Sequence, residues 1–357
     1  MCPLRFPRYE EEDLKKADIR LIRSVVRSIN KAHKKDKRDD LEAATLDESI
    51  FSRPSGYIST GILPLDCIVC YGLGLPIAII EVYGGEAVGK TAIGEHTIAE
   101  SQRHGYYTAI IPTEPTITQK RAKVAGIDDE LLVVLDAETI EDVYDEILKF
   151  VLGIRKKDKE TPIVILWDSV AATPTKTELE HESGLSDNQM ATMARQMSKL
   201  FRRLTRFLFK NKVCLVCTNQ TRTNLGQMWG SKETTYGGRA IRFYASVRIR
   251  INKMKDIKGE RDQSVGQMLQ AECKKNKVAP PFRKCLFPLY WSRGIDNALA
   301  IWEFCIEQRI FKKHGTAYKF DGCVLMRKSF PHYYRRHRLE LNALLRNASR
   351  RVPKERE

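Results

Sequence analysis

The chain has 357 residues, 42% of them hydrophobic and 30% charged, with 61 Lys+Arg against 45 Asp+Glu for a net charge of +16. That is the make-up of a globular protein with room for one large core and one or two small appendages. No stretch approaches the ~20 apolar residues a membrane-crossing helix needs, and the opening run, with Glu10 to Asp13 and Lys15-Lys16, is too polar for an export signal. A cytoplasmic location without membrane association is therefore expected. The basic excess favours a polyanionic partner, because each neutralised phosphate releases counterions, although solubility alone also accounts for it.

Residues 14 to 33 carry Ile22, Val25, Val26 and Ile29 at helical spacing, with Arg20, Arg23, Arg27 and Lys31 on other faces. The charged run Lys34 to Asp40 then reads as a linker. A helix isolated in this way buries its apolar face either on its own core or on a neighbouring subunit, and the residues leave both open.

From about Phe51 strands and helices alternate densely. The apolar segment Ile77 to Tyr83 runs into Gly84-Gly85-Glu86-Ala87-Val88-Gly89-Lys90-Thr91, followed by a helical stretch from Lys90 to about Arg103. This fits G-x-x-x-x-G-K-[ST] in a strand–turn–helix setting, where glycines bring backbone N–H groups onto phosphates and the helix N-terminus adds positive charge. Lys90 is expected to reach the β/γ-phosphates and the Thr91 hydroxyl to ligate Mg²⁺. The strands Tyr107 to Ile111, Leu131 to Leu135 and Ile163 to Trp167 follow, with a helix from near Thr139 carrying Ile140, Val143, Ile147 and Val151 on one face. Strands this apolar, alternating with helices, predict an α/β fold with a parallel sheet covered on both faces.

Ligands of such sheets sit beyond the carboxyl ends of the strands. Glu114, Asp136 and Asp168 occupy that edge. Asp168, behind four aliphatics and a Trp, is the candidate Mg²⁺-shell carboxylate. Spacing does not separate Glu114 from Asp136 as the group orienting an attacking water, and for Asp136 a helix N-cap is the favoured structural alternative.

A polar stretch, Glu178 to Gln189, reads as a loop before a long helix with Met190, Met193, Met197, Leu200, Leu204 and Leu208 inward and Arg195 among its basic residues. A Met stripe of this kind is more often core than binding surface. The strand Cys214 to Thr218 ends at Asn219-Gln220. Cys214 and Cys217 stand three apart on it and so point to opposite faces, which excludes a shared zinc and leaves buried, reduced thiols. Then comes a loop from Thr221 to Arg239 that interleaves Arg222, Lys232 and Arg239 with Trp229 and Tyr236. It is too long and glycine-rich for a plain connection, and its mixture suits single-stranded polynucleotide. Phe243 to Ile251, Met268 to Cys273 and Lys284 to Tyr290 read as antiparallel strands, and residues 296 to 320 as a small helical unit. From His332 eight Arg/Lys stand against three Glu, in either a helix or a nucleic-acid-binding tail.

These residues together resemble the bacterial RecA recombinase family, collinearly from Ser59-Thr60-Gly61 to about Asp321. The resemblance rests on Ile58 to Gly61 with Leu65-Asp66, the P-loop, Asp168-Ser169-Val170-Ala171-Ala172, Asn219 to Arg222 with Glu233 to Gly238, Phe243 to Arg248, and Lys275 to Ala279 with Pro281-Phe282. It implies a RecA-like P-loop ATPase core (51–292) with a mostly parallel central sheet and helices on both faces. An N-terminal polymerisation helix and linker (1–50) precede it, and a small C-terminal α+β domain with a basic tail (293–357) follows. Glu114 then takes the place of the catalytic glutamate and Gln220 that of the γ-phosphate sensor. Residues 177–190 are similar to the first DNA loop, with Met190 as its DNA-facing residue. Arg195, Arg222, Leu225, Trp229, Lys232, Tyr236, Gly237, Gly238 and Arg239 are further DNA-binding candidates. Lys275 and Lys277 match lysines that reach a neighbour's ATP, and Phe243 an interface aromatic. The departures are Pro112-Thr113 before Glu114, Thr118 and Arg121 in place of adenine-contacting Asp and Tyr, a longer first loop, and a basic tail where an acidic one is usual. Arg121 retains the ability to stack on a base.

What the resemblance implies is an ATP- and Mg²⁺-dependent, DNA-dependent ATPase. It would form a helical homo-oligomeric filament on single-stranded DNA and pair it with homologous duplex DNA, with single-strand-binding and loader proteins as further partners. The rivals are a ring-forming replicative helicase of the same fold and a non-hydrolysing paralogue acting as mediator.

Overall fold

Strands apolar on both faces form the middle of the main sheet. The computed structural model describes residues 19–35, 54–113, 118–180, 187–223 and 233–350, and its contacts divide the chain into Met1–Pro54 and Ser55–Glu357. In the first unit α1 spans Ile19–Lys35. Val25 and Ile29 on it are exposed, and His33, Lys34 and Lys35 in its last turn complement the negative end of the helix.

In the second unit β1 (Tyr57–Ile58) and β2 (Leu75–Pro76) pair around the buried helix α2 (Leu63–Cys70). Then follow β3 (Ile79–Gly84), α3 (Lys90–Arg103), β4 (Tyr107–Pro112), α4 (Gln119–Ala125), β5 (Leu132–Val134), α5 (Ile140–Arg155), β6 (Ile163–Asp168), α6 (Lys176–Glu180), α7 (Asp187–Lys210), β7 (Val213–Thr223), β8 (Glu233–Thr235) and α8 (Arg239–Tyr244). The long strands β9 (Val247–Lys258), β10 (Ser264–Asn276) and β11 (Lys284–Tyr290) lead to β12 (Gly294–Ile295) and α9 (Asn297–Glu307). The segment closes with β13 (Lys312–His314), β14 (Ala317–Phe320), β15 (Cys323–Leu325), α10 (Phe330–Arg336) and α11 (Arg338–Ser349).

The main sheet runs β12-β11-β10-β9-β3-β7-β6-β4-β5, with β8 added to the end of β7. From β9 through β5 every pairing is parallel, and β10 to β12 extend the sheet antiparallel. The mostly parallel α/β sheet is therefore as expected. Side chains alternate between two cores. Val164, Leu166 and Cys214 face one that includes α2, α3 and the C-terminal segment; Ile165, Trp167 and Cys217 face the other, with Met197, Phe201 and Leu204 of α7. The two cysteines of the strand thus part as their spacing requires. Helix α3 lies close on the sheet because Gly94 has no Cβ, which would stand 2.5 Å from Leu166 Cδ1.

Several local expectations are corrected. Phe243 to Ile251 is not one strand. Gly238, at φ 68°, starts the short helix α8, whose Ala240 and Ile241 are buried, and β9 begins only at Val247. Asp136 caps nothing; it is exposed, and α5 is capped by Thr139 in a reciprocal box with Asp142. The polar stretch 178–189 is partly helical, since α6 runs into it and α7 begins at Asp187. Of residues 296–320 only α9 is helical. The antiparallel trio β13-β14-β15 follows, because Tyr318 and Phe320 pack on the Trp302–Phe311–Phe330 cluster with ring centroids 5.2–5.6 Å apart. The basic end forms α10 and α11, with Tyr334, Leu341 and Leu345 buried.

A candidate nucleotide site joined to a polynucleotide loop

The sequence 84–91 folds as the turn its glycines require. Gly84 ends β3 with no room for a side chain, since a Cβ there would lie 2.4 Å from the Ile251 carbonyl oxygen. Gly89 sits at φ 74° as the N-cap of α3, and its Cβ would strike Leu289 and Leu269 at 2.8 and 2.9 Å. Gln267 Nε2 on β10 donates to the Ala87 carbonyl at 2.9 Å and backs the loop from below. Lys90 Nζ donates to the carbonyls of Gly84 (3.3 Å) and Gly85 (2.5 Å), so its ammonium stands over the mouth of the turn. Thr91 follows in the first turn of α3. This cradle, closed to a Cβ at Gly84 and Gly89, fits a phosphate chain held by backbone groups.

Asp168, 8% exposed, ends β6 and accepts a hydrogen bond from Thr218 Oγ1 on β7. It pairs in register with Pro112 of β4. Thr113 secures that edge: its N–H donates to the Asp168 carbonyl at 2.8 Å, and its hydroxyl accepts from the Ser169 N–H at 2.7 Å. Thr113 is thus a clamp between two strand ends. Glu114, the next residue, lies outside the described residues. The oxygens of Thr91 and Asp168 are the hard donors Mg²⁺ prefers. Among the described residues no His/Cys/Asp/Glu group is arranged as a dedicated metal site.

Beside the P-loop a cleft of about 440 Å³ opens, lined among others by Lys90, Thr91, Glu95, His96, Arg121 and Trp291. Thr118 caps α4 by accepting from the Arg121 N–H at 3.2 Å, which accounts for a hydroxyl at that position. Arg121 Nε stands 2.7 Å from Glu95 Oε1, yet the N–H is aimed off the oxygen, which keeps no well-formed hydrogen bond. Burial pushes the Glu95 carboxyl up to about 7 against the pull of Arg121, with Asp168 adding to the rise. His96 accepts from the Ile295 N–H at 3.0 Å through Nε2, and burial, with Arg103, lowers it to about 4, so the ring is neutral. Glu95, His96, Gln267, Tyr290 and Trp291 escaped the sequence reading, because they come from three separate segments and carry no local motif.

Gln220 is the register partner of Gly84 on the adjacent strand. Three residues on, β7 ends at Thr223, and its last three residues pair with β8 as Thr221↔Thr235, Arg222↔Thr234 and Thr223↔Glu233. The expected loop 221–239 is therefore a hairpin at its base. Asn219 ties that base to the nucleotide strand: its Nδ2 donates to Glu81 Oε1 (2.9 Å) and to the Tyr236 carbonyl (3.0 Å). Glu81, fully buried, also receives Arg248 Nε, and the guanidinium lies 4.4 Å over the Tyr83 ring. Gly237 and Gly238 follow at φ 79° and 68°, with Arg239 exposed. Leu225, Trp229 and Lys232 lie outside the described residues; Arg222 is placed on β7 and Met190 on α7, and Arg195 is exposed on α7.

Lys275 and Lys277 are not brought to this P-loop. Lys275 pairs with Arg248 and Arg248 with Glu81, which sets Lys275 about three residues, or ~10 Å, short of Gly84 along the strands and two strands aside. Its Nζ donates to the carbonyls of Arg242 and Phe243 at 2.7 and 2.8 Å, at the end of α8. Burial, with Lys277 and Arg248 nearby, lowers it to about 8. Lys277 is exposed, and Phe243 is 72% exposed.

A family model described as the RecA N-terminal domain matches residues 21–296. The chain is 36% identical over 270 residues to "Protein RecA" of Arthrobacter sp. (strain FB24), covering 75% of this chain and 74% of that one. To "Protein RecA" of Clostridium acetobutylicum it is 37% identical over 269 residues, covering 75% and 74%. To that of Cytophaga hutchinsonii it is 36% identical over 280 residues, covering 78% and 76%.

Proposed function

The chain belongs to the RecA family, and from that premise we propose that its P-loop and its second-loop hairpin act as one nucleotide-controlled grip on DNA. The protein is an ATP-dependent recombinase of DNA recombination and repair. It is a DNA-dependent ATPase that uses ATP with Mg²⁺, binds single-stranded and duplex DNA, and forms filaments. Among the described residues no helix is long and apolar enough to cross a membrane, and we place the protein in the cytoplasm.

Residues 84–91 hold the phosphates, with Lys90 moving from the loop carbonyls onto the β/γ-phosphates and Thr91 and Asp168 holding Mg²⁺. The bound ion supplies charge neutralisation at the phosphoryl group. Glu114 orients the attacking water, Arg121 meets the base, and Gln220 reads the terminal phosphate. The observation that carries this reading is the register of Gln220 beside Gly84 on a strand that continues into the hairpin at Thr221. A change at the P-loop then passes along one strand into the segment carrying Arg222, Leu225, Trp229, Lys232 and Tyr236 to Arg239, while Met190 and Arg195 act from the first loop and α7. Lys275, Lys277 and Phe243 serve a neighbouring protomer. Their offset from this chain's own P-loop and the exposure of Phe243 support that assignment, and α1 is the contact made in return. We keep the partition into 1–50, 51–292 and 293–357 as a functional one.

The test is a strand-exchange assay with homologous oligonucleotides, paired with negative-stain imaging. Exchange that requires ATP, on helical filaments, is the expected result. Equal handling of homologous strands with and without nucleotide, or closed rings in place of filaments, overturns the reading.

A further inference from the structure

Where the ends of β7, β8 and β9 meet, a second recess of about 270 Å³ opens. Four of its eight lining side chains are cationic, Arg242, Arg248, Arg250 and Lys274, and none is acidic. Glu81 balances Arg248 from beneath, and Glu272 holds Lys274 at 2.8 Å. No acidic side chain among the described residues pairs with Arg242. The remaining lining includes Thr221 and Thr235. Thr235 is 4% exposed, and its Oγ1 has no hydrogen-bond partner among the described residues. A buried hydroxyl left unpaired is unfavourable and calls for a partner. Set in an acid-free recess of guanidinium and ammonium groups, it is matched by a tetrahedral oxyanion, whose several oxygens accept from arginine, lysine and hydroxyl together.

We propose that this recess is a phosphate-binding site at the foot of the second-loop hairpin. Its place gives occupancy a consequence. Thr235 and Thr221 are register partners in the hairpin, Tyr236 follows Thr235, and the Tyr236 carbonyl is already held by Asn219 against Glu81. A phosphate drawn in by Arg242 and Arg250 therefore fastens both hairpin strands to β9 beside the P-loop strand. The phosphate comes either from a DNA backbone or from a nucleotide carried by an adjacent protomer. Only this choice of source rests on the function proposed above; the site itself does not.

The experiment uses the full-length chain. Inorganic phosphate is titrated, without DNA or nucleotide, into Lys90→Ala protein, which weakens phosphate binding at the P-loop, and the thermal midpoint is followed. Phosphate is expected to raise the midpoint, and adding Thr235→Val or Arg250→Gln is expected to weaken the apparent affinity about tenfold. Thr235→Val should also unfold no more easily than its parent in phosphate-free buffer, because it removes an unpaired hydroxyl. In the wild-type background, an Arg250→Gln variant whose oligothymidylate affinity loses ~0.7 from its log–log salt slope identifies the DNA backbone as the source. An unchanged slope with a severalfold higher half-saturating ATP concentration identifies the neighbour's nucleotide. If the phosphate response is lost and neither arm moves, free phosphate is the ligand. A phosphate response identical in all variants overturns the site. Failure of the recombinase reading would show separately, as wild-type protein without ATP-dependent strand exchange.

Discussion

Replacing Glu81 by Leu tests the link between nucleotide and hairpin. Glu81 is fully buried, Arg248 is 7% exposed, and the two are joined directly. Without the carboxylate the guanidinium keeps the Tyr83 face but loses its counter-charge, which costs about 3–5 kcal/mol for a stranded buried charge. The lost Asn219 bond belongs to the same rearrangement and is not added to it. Against a typical total of about 5–15 kcal/mol the change is large. Removing both charges, as Glu81→Leu with Arg248→Met, should return the protein to within ~1 kcal/mol of wild type, because paired burial contributes little net stability. The assay is urea unfolding followed by circular dichroism for the two single variants and the double, read as a double-mutant cycle. A single variant costing under ~1 kcal/mol, or a double variant as unstable as the singles added together, refutes the reasoning. The double variant also separates stability from function. It folds, but Asn219 has lost its acidic anchor, so ATP should raise its oligonucleotide affinity much less than in wild type.

Lys90→Ala should abolish ATP turnover; normal hydrolysis in that variant would place the phosphate site elsewhere. Phe243→Ala, at an exposed position, should leave the free energy of unfolding in urea within ~0.5 kcal/mol of wild type while filaments no longer sediment; retained filaments would remove Phe243 from the interface. The neutral His96 predicts an acid limb to stability. Its folded value is depressed from 6.5 to about 4, so the unfolded chain takes up the proton first. Its contribution is complete above pH 6.5 and is lost as pH falls towards 4, by up to ~3 kcal/mol. His96→Gln should flatten that part of the pH–stability curve, and an unaltered slope would contradict the neutral ring.

The elements legible in the sequence are those specified by neighbours along the chain. The strand 163–167 announces itself by unbroken apolarity and β-branched residues, and 284–290 by its apolar and aromatic Cys285, Leu286, Phe287, Leu289 and Tyr290; they stand within a residue of β6 and β11. The P-loop declares its turn because glycine alone tolerates the geometry at 84 and 89. The misjudged elements are those with a remote partner. Phe243 belongs to α8 because Ala240 and Ile241 are buried in the core shared with α7. Residues 312–325 form strands because an aromatic cluster from three other segments accepts their side chains.

By itself the sequence determined the α/β class, the phosphate turn, Asp168 at a strand end, and a basic loop suited to polynucleotide, since each rests on periodicity or local backbone chemistry. The tertiary structure alone decided that Gln220 stands beside Gly84, that Glu81, Arg248 and Asn219 tie the nucleotide strand to the hairpin, and that Lys275 lies away from its own P-loop. It also decided that Glu95 and Arg121 share a cleft and that Thr235 sits unpaired among cations. Strand order and register set these juxtapositions. They bring together residues as far as 167 positions apart, a separation over which no local pattern carries information.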